Sequence, residues 1–538
     1  MRTFRCSAAR RYLRREKQPL VNPEPQIEPA AAAYDAAVPD LSLKGRVARS
    51  IFWIAWSRGV VQVLQFASTL VVAHILVPAD YGVTALAGVC TGTARMLAEM
   101  GLGRAIIQFR DLERREIDTC FWIAITLATI AFAILALAAA PIARWFVTPR
   151  LAYVLPVTAL LLPLTACSIV SDSLLRKRLA LDRVSQAEII GMGASLPVTL
   201  GCAFAGLGVW ALVAGWLVAT VGRNIATFAF APWRPGWRVG GRRAKEMLHF
   251  SLATLGVEAL WALREQTDSL VIGKVTGQVT LGLYSMAKDL AMLPLNKISP
   301  VINMLSMPMM AELQTDINAM RAELYRGIRL IAAIVIPTSI GMALVADQMV
   351  AALLGPKWLP AIPIMRLLSV YAATRAIEPL LTPVLFARRR QQLLFWYFLA
   401  QLLVVPAAAV VGALWDGASG AVMLLIPVLA AFIAILAKAV LAEVKGKFSQ
   451  LWLQAWPVLA ATAAMVVVVL LVRAFVLAGR VEPPFVGLIL LSVSGAITYG
   501  AALFAIGSPV IDEGAEVVRW ILGRYRVHLP IHNADNSR

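Results

Sequence analysis

The sequence predicts an all-α polytopic membrane protein of about fourteen transmembrane helices. They are expected as two six-helix lobes in parallel repeat, with two extra helices at the C-terminal end. Three observations carry that expectation. Apolar runs of membrane-spanning length recur from Ile51 almost to the end of the chain. Lysine and arginine crowd into every second connection between those runs. The segment Leu70-Val71-Val72-Ala73-His74-Ile75 also reappears as Leu270-Val271-Ile272-Gly273-Lys274-Val275, at the offset 270 − 70 = 200 residues. The register continues without a gap, with Gly82 meeting Gly282 and Ala87 meeting Ala287. Chance likeness between apolar segments is the competing account, and the length of the match favours a repeat.

Composition sets the class. Of 538 residues, 59% are hydrophobic and 15% charged, with mean hydropathy +0.74, which excludes an ordinary soluble globule. A net charge of +19 would suggest nucleic acid in a soluble chain. Here basic loops account for it, and no nucleic-acid partner is expected. The five cysteines (Cys6, Cys90, Cys120, Cys167, Cys202) show neither metal-ligand spacing nor a disulfide framework. No cofactor and no metal site are expected.

Residues 1–48 open the chain as a polar tail, basic at Arg10, Arg11, Arg14, Arg15 and Lys17, then rich in Pro and Ala. Such a composition cannot bury a core, and disorder is expected. No cleavable signal peptide is evident, because the first apolar run begins near Ile51. The basic cluster either touches anionic lipid or simply orients the chain, and the second reading is preferred.

A window of about 20 apolar residues then gives spans at 51–76, 82–102, 119–140, 151–170, 186–205, 208–230, 248–272 and 279–310. Six more follow at 325–346, 361–386, 391–413, 418–441, 452–477 and 484–507. Hydropathy alone also admits twelve or thirteen spans. The loop charges favour fourteen: basic clusters at 104–115, 176–183, 234–245, 321–329, 388–390 and 438–447 alternate with loops nearly free of Lys and Arg. Lys274 and Lys357 are among the few exceptions. The alternation puts both termini in the cytoplasm. It divides the chain into an N-lobe at 49–245 (helices 1–6), a C-lobe at 246–445 (helices 7–12), helices 13–14 at 446–507 and a cytoplasmic tail at 508–538. No extramembrane stretch is long enough for a catalytic domain.

Ionisable groups inside spans cost about 2.5–3.5 kcal/mol each on insertion scales, so they usually face a bundle interior or water. Arg58, Gln62, Gln65 and Thr69 share one helical face of span 1, and Arg95 and Glu99 share one of span 2. Span 7 carries Glu258, Glu265 and Asp268 on one side, with Arg264 spaced to pair with Asp268. Lys288, Met292, Asn296, Ser299 and Asn303 align in span 8, and Tyr371, Arg375 and Glu378 in span 10. Interhelical glue explains any one stripe equally well. Coincident stripes in the paired openings of two repeats point instead to a hydrated central cavity with excess cations. Arg95–Glu99 and Lys288–Asp289 are candidate self-neutralising pairs, and His74 reads as a solvated surface histidine. No P-loop, H-E-x-x-H or nucleophile triad stands out, so no enzyme is expected, nor an ATP-driven pump unless a partner supplies the motor.

Several segments resemble the polysaccharide transport family of the multidrug/oligosaccharidyl-lipid/polysaccharide exporter superfamily. Leu70 to Gly82 (LVVAHILVPADYG) resembles its "ARLLtPedyG", and Met100 to Gln108 (MGLGRAIIQ) its "GLGxAliq". Gly206 to Val213 (GLGVWALV) looks like "GxGvWALv". Asp268 to Lys274 with Leu281 to Tyr284 is similar to "DxlliGr…lGlY", and Leu354 to Trp358 (LGPKW) to "lxGxxW". The likeness runs from about Ile51 past Arg366, and helices 11–14 match in hydropathy alone. Two positions depart from it: His74 stands where the family usually has Arg, and the cation after Tyr284 is displaced by one residue to Lys288.

The resemblance implies a bacterial inner-membrane flippase for polyprenyl-diphosphate-linked oligosaccharide, serving surface polysaccharide assembly, with polysaccharide polymerase or export machinery as a further partner. A diphosphate calls for cations, best supplied by Arg forks. Arg58, Arg95, Lys288 and Arg375 are the expected substrate-binding set. Gln62, Gln65, Glu258, Arg264, Glu265, Asp268, Asn296 and Asn303 are expected to line the cavity or couple an ion. Two rivals remain: a cation-coupled multidrug exporter, which would favour an acidic cavity, and a membrane glycosyltransferase, polymerase or ligase, which would need a long outer loop.

Overall fold

A computed structural model describes residues 43–99, 101–109, 112–231, 233–237, 240, 244–475 and 483–513. Residues 1–42 of the expected N-terminal tail and most of the C-terminal tail lie outside the described residues, whereas residues 43–48, expected in the disordered tail, are helical as the start of α1. Among those described there is no strand, and eight helices are long and apolar enough to cross a membrane. In chain order, α1 is Leu43–Ile75, α2 Pro78–Glu99, α3 Leu102–Gln108, α4 Arg114–Trp145, α5 Leu151–Ala159 and α6 Leu161–Lys177. Next come α7 Leu181–Phe204, α8 Val209–Phe230, α9 Ala244–Ala291, α10 Leu293–Glu312, α11 Ile317–Leu344 and α12 Ala346–Leu353. The last five are α13 Ile362–Thr374, α14 Glu378–Ala387, α15 Gln391–Glu443, α16 Phe448–Phe475 and α17 Pro484–Ile506.

Two of these helices double back. At 48 residues, α9 breaks at Gly277, where φ is 84° and ψ 176°, a backbone geometry that glycine tolerates. Side chains 16 and 20 residues apart then meet across the turn, Tyr284 and Lys288 both reaching Asp268. The 53-residue α15 breaks at Asp416 and Gly417, and there Gly412 and Gly420 press backbone to backbone. Both breaks fall in the gaps between expected spans. Other expected spans are interrupted from within. Span 8 bends at Met292 between α9 and α10, where Pro294 has no N–H to give to Leu290. Span 10 opens between α13 and α14 over residues 375–377. Pro379 is the local cause, since it has no N–H to give to the carbonyl of Arg375, which accepts from the Glu378 N–H at 3.1 Å instead.

The basic connections gather at one end of the bundle. Arg388 donates to the Gln314 carbonyl, Arg390 pairs with Glu443 at 2.7 Å, and Arg321 donates to the Lys445 carbonyl. Exposed Trp237, Trp396 and Trp452 lie toward this basic end, and exposed Trp145, Trp210 and Trp415 toward the far end. Two such belts suit the two water boundaries of a bilayer.

At the far end the sequence halves close on each other twice, in related ways. A Cβ on Gly82 would sit 1.8 Å from the Gln278 carbonyl oxygen, and one on Gly282 1.8 Å from that of Pro78. Since 278 − 78 and 282 − 82 are both 200, each half offers the same two positions to the other. Around this contact, Lys357 donates to the carbonyl of His74 at 2.6 Å and Trp358 to that of Ala73 at 2.9 Å, at the end of α1. Lys274 donates to the Trp145 carbonyl at the end of α4 and lies 5.0 Å from the Trp145 ring. Both lysines that broke the loop-charge rule therefore cap helix C-termini of the other half, where the dipole welcomes a cation. Beside them His74 is exposed, as expected, its Nδ1 2.9 Å from the Leu70 carbonyl.

Candidate functional site

The first half of α9 sets Arg264, Glu265 and Asp268 against Lys288, which returns from beyond Gly277, and against the broken stretch between α13 and α14. Asp268 is buried, and it accepts from Tyr284 Oη at 2.6 Å, from Lys288 Nζ at 2.6 and 2.9 Å, and from the Ser269 N–H at 2.7 Å. Arg375 bridges Glu265 at 2.6 Å and Glu378 at 2.9 Å. Arg264, with 2% of its side chain exposed, bonds Glu265 and lies 3.9 Å from Glu378. Three cations and three carboxylates thus form one sextet, and 3 − 3 leaves no net charge when all are ionised. Burial on this scale needs such pairing, since an uncompensated charge away from water is costly.

The interrupted helices make the sextet possible. At the turn after Thr374 the Arg375 fork reaches Glu378, three residues on, and Glu265 on α9. Gly277 brings the second arm of α9 back beside the first, so that Lys288 Nζ also donates to the Glu265 carbonyl at 3.3 Å.

A second cluster lies in the N-half near the basic end. Asp172 accepts from Arg176 at 2.6 Å and from Arg223 at 3.0 Å. Arg95 stands 3.8 Å from Glu99, which itself lies within electrostatic reach of Arg223 and Asp172. These groups are wetter: 56% of the Arg95 side chain is exposed, against 11% for Arg375.

Set against the sequence, the structure keeps the Arg95–Glu99 pair and changes two others. Asp268 pairs with Lys288 rather than Arg264, because the hairpin at Gly277 brings an ammonium and a phenol to it while Arg264 turns to Glu265 and Glu378. The direct ion pair of Lys288 among the described residues is therefore with Asp268 and not with its neighbour Asp289, which keeps only an electrostatic interaction with it. Lys288 and Arg375, expected to hold an anion, are each bonded to carboxylates. Gln65, Asn296 and Asn303 are exposed, and Gln62 is half-buried. The side chains of Arg58 and Glu258 lie outside the described ones. Sequence reasoning missed Tyr284, Asp172 and Arg223 as members of these clusters. Arg223, a lone cation in an otherwise apolar span, was a usable signal.

A family model described as "Polysaccharide biosynthesis protein" matches residues 71–363, more than half of the chain. The chain is 25% identical over 391 residues to a membrane protein in the cps region of Klebsiella pneumoniae, covering 71% of this chain and 79% of the other. It is 23% identical over 394 residues to the lipopolysaccharide biosynthesis protein WzxC of Escherichia coli K12, covering 71% and 78%. Among solved structures, the lipid II flippase MurJ in its inward closed conformation superposes with TM-score 0.66 at 11% identity, over 86% of this chain and all of that one. An inward-facing multidrug resistance transporter of the MATE family gives TM-score 0.59 at 14% identity, over 74% and 99%. At these identities the two structures establish a shared fold, that of a polytopic helical membrane protein.

Proposed function

The chain belongs to the polysaccharide biosynthesis protein family, and from that premise we propose that it is a flippase. Its substrate would be a polyprenyl-diphosphate-linked oligosaccharide, carried across the bacterial inner membrane for assembly of a surface polysaccharide. We read the described helices as part of a fourteen-span bundle in which α9 and α15 each supply two spans. The N-lobe is 49–245 and the C-lobe 246–445, with both termini in the cytoplasm. In this reading the far end is the outer side.

One observation carries the proposal. The halves close on each other at the far end through reciprocal contacts, while the partly exposed cluster of Arg95, Arg176 and Arg223 lies toward the basic end. That is the arrangement a carrier needs when it waits to load an anionic headgroup from the cytoplasm. Lys288 and Arg375 already satisfy carboxylates, so the diphosphate is read as falling to Arg95 and to Arg58, on the polar face of α1. The neutral sextet gives no support to the multidrug-exporter alternative, which would want net negative charge there.

The test is to delete the gene and extract the lipid-linked oligosaccharides. Accumulation of one such species on the cytoplasmic face, cleared by wild type and not by an Arg58→Ala, Arg95→Ala double variant that inserts and folds normally, is the expected result. Full clearance by that variant would overturn the cationic site. A deletion strain with no accumulated intermediate would overturn the flippase reading itself.

A further inference from the structure

The far end of the N-half carries a cavity of about 460 Å³ that the sextet and the cationic cluster do not use. It opens among three turns, those joining α1 to α2, α4 to α5 and α7 to α8. Asp80, Arg150, Tyr153, Gly208 and Trp210 are among its lining residues. The α7–α8 turn is built by glycine. Gly206, at φ 75°, ends α7 with its N–H on the Ala203 carbonyl, and Gly208, at φ 56°, leads into α8. A side chain at either position would be strained, and a Cβ on Gly208 would come to 3.3 Å from Asp80 Oδ2. The turn therefore lets backbone lie against the carboxylate.

Asp80 is the informative residue. It is 6% exposed, yet its side chain has one partner among the described residues, the guanidinium of Arg150 at 3.4 Å from Oδ1. Oδ2 accepts no hydrogen bond from a described residue and keeps some accessible surface, so its lone pairs remain available. Arg150 is itself 65% exposed on its side chain, leaving most of its donors free. Two aromatic residues with accessible surface, Tyr153 and Trp210, line the same cavity.

From this geometry we propose that the cavity is a carbohydrate subsite, which holds a sugar residue of the oligosaccharide on the outer side. The inference rests on the flippase reading and adds a second place where the substrate is recognised. The chemistry of the lining selects the ligand class. A diphosphate would be repelled by Asp80, and an apolar drug would strand a buried carboxylate. A pyranose fits both demands, because vicinal hydroxyls donate to Asp80 and accept from Arg150, while its C–H face lies on an aromatic ring. The volume is at the small end of the range of about 300–1,000 Å³ typical of ligand pockets, which suits a single sugar unit better than a whole repeat.

The experiment uses the oligosaccharide released by mild acid from the lipid-linked species that the deletion strain accumulates. Saturation-transfer NMR and calorimetry would follow its binding to the full-length protein in nanodiscs. Wild type is expected to bind it, and Trp210→Ala and Asp80→Asn each to weaken it about tenfold or more. Tyr153→Ala, at an exposed position, should weaken it less. Trp415→Ala, an exposed tryptophan at the same end of the other half, should change nothing. Equal binding by wild type and all three pocket variants, or no binding by wild type, overturns the subsite and leaves the flippase standing. Displacement of the sugar by glycerophosphoethanolamine at equal concentration would also overturn it, by assigning the cavity to a phospholipid headgroup. Absence of any accumulated intermediate strikes the flippase reading first, and the subsite falls with it.

Discussion

The two charge clusters use the same kinds of residue in opposite ways. In the N-half, Arg95, Glu99, Asp172, Arg176 and Arg223 sit near helix ends, with guanidinium groups that stay about a third to a half exposed. The C-half gathers six charges at one helix break and a hairpin, with side-chain exposure from 2% at Arg264 to 25% at Glu265. Wet charges interact weakly and remain available to a ligand. Dry ones must satisfy each other, and so behave as a joint between α9 and the α13–α14 break. The difference teaches that ionisable residues in spans are not one set here: the cations of one group keep a third or more of their surface in water, and the other group is satisfied largely within itself.

The largest expected effect is on folding. Asp268→Asn strands Lys288 and should cost about 3–5 kcal/mol, seen as lost monodisperse protein in detergent. A second change, Lys288→Gln, should restore part of it. Asp172→Asn, whose arginine partners are screened by water, should cost about 1 kcal/mol or less. Equal losses in thermal unfolding would erase the distinction between the clusters. A smaller contrast follows from fork geometry. Arg375→Lys loses the planar bridge between Glu265 and Glu378 and should cost about 2 kcal/mol, whereas Arg95→Lys should stay within about 0.5 kcal/mol of wild type. The same thermal melts decide it, and an inert Arg375→Lys would show that charge alone suffices. The smallest effect is that of salt. At 1 M, where the screening length is about 3 Å, the Asp172→Asn penalty should vanish while that of Asp268→Asn persists. A penalty at Asp268 that fades with salt would mean that water reaches the sextet after all.

Much of this was readable in the chain. The gaps between apolar runs fall at Gly277 and at Asp416-Gly417, because a segment that must turn at the membrane boundary loses its apolar residues there. The 200-residue register led to Gly82 and Gly282, which the structure brings into reciprocal contact. What sequence could not supply was partner choice. A spacing of four residues made Arg264 the natural mate of Asp268, but Tyr284 and Lys288 approach from across a hairpin and win with better geometry. Arg176 was readable as a loop cation, and its service to Asp172 depends on where α8 brings Arg223. The break at Arg375 had its signal in Pro379, yet the two carboxylates it serves are 110 and three residues away. Local pattern gives the candidates, and long-range packing pairs them.

The zero sum of the sextet has an electrical consequence. A carrier in an energised membrane works within a voltage, and each uncompensated charge that crosses exchanges about 2.3 kcal/mol per 100 mV. Six charges that cancel within a few ångströms exchange almost none, however far the α9–α14 joint is displaced. With all six groups ionised, the sextet by itself would add no gating charge to such a displacement.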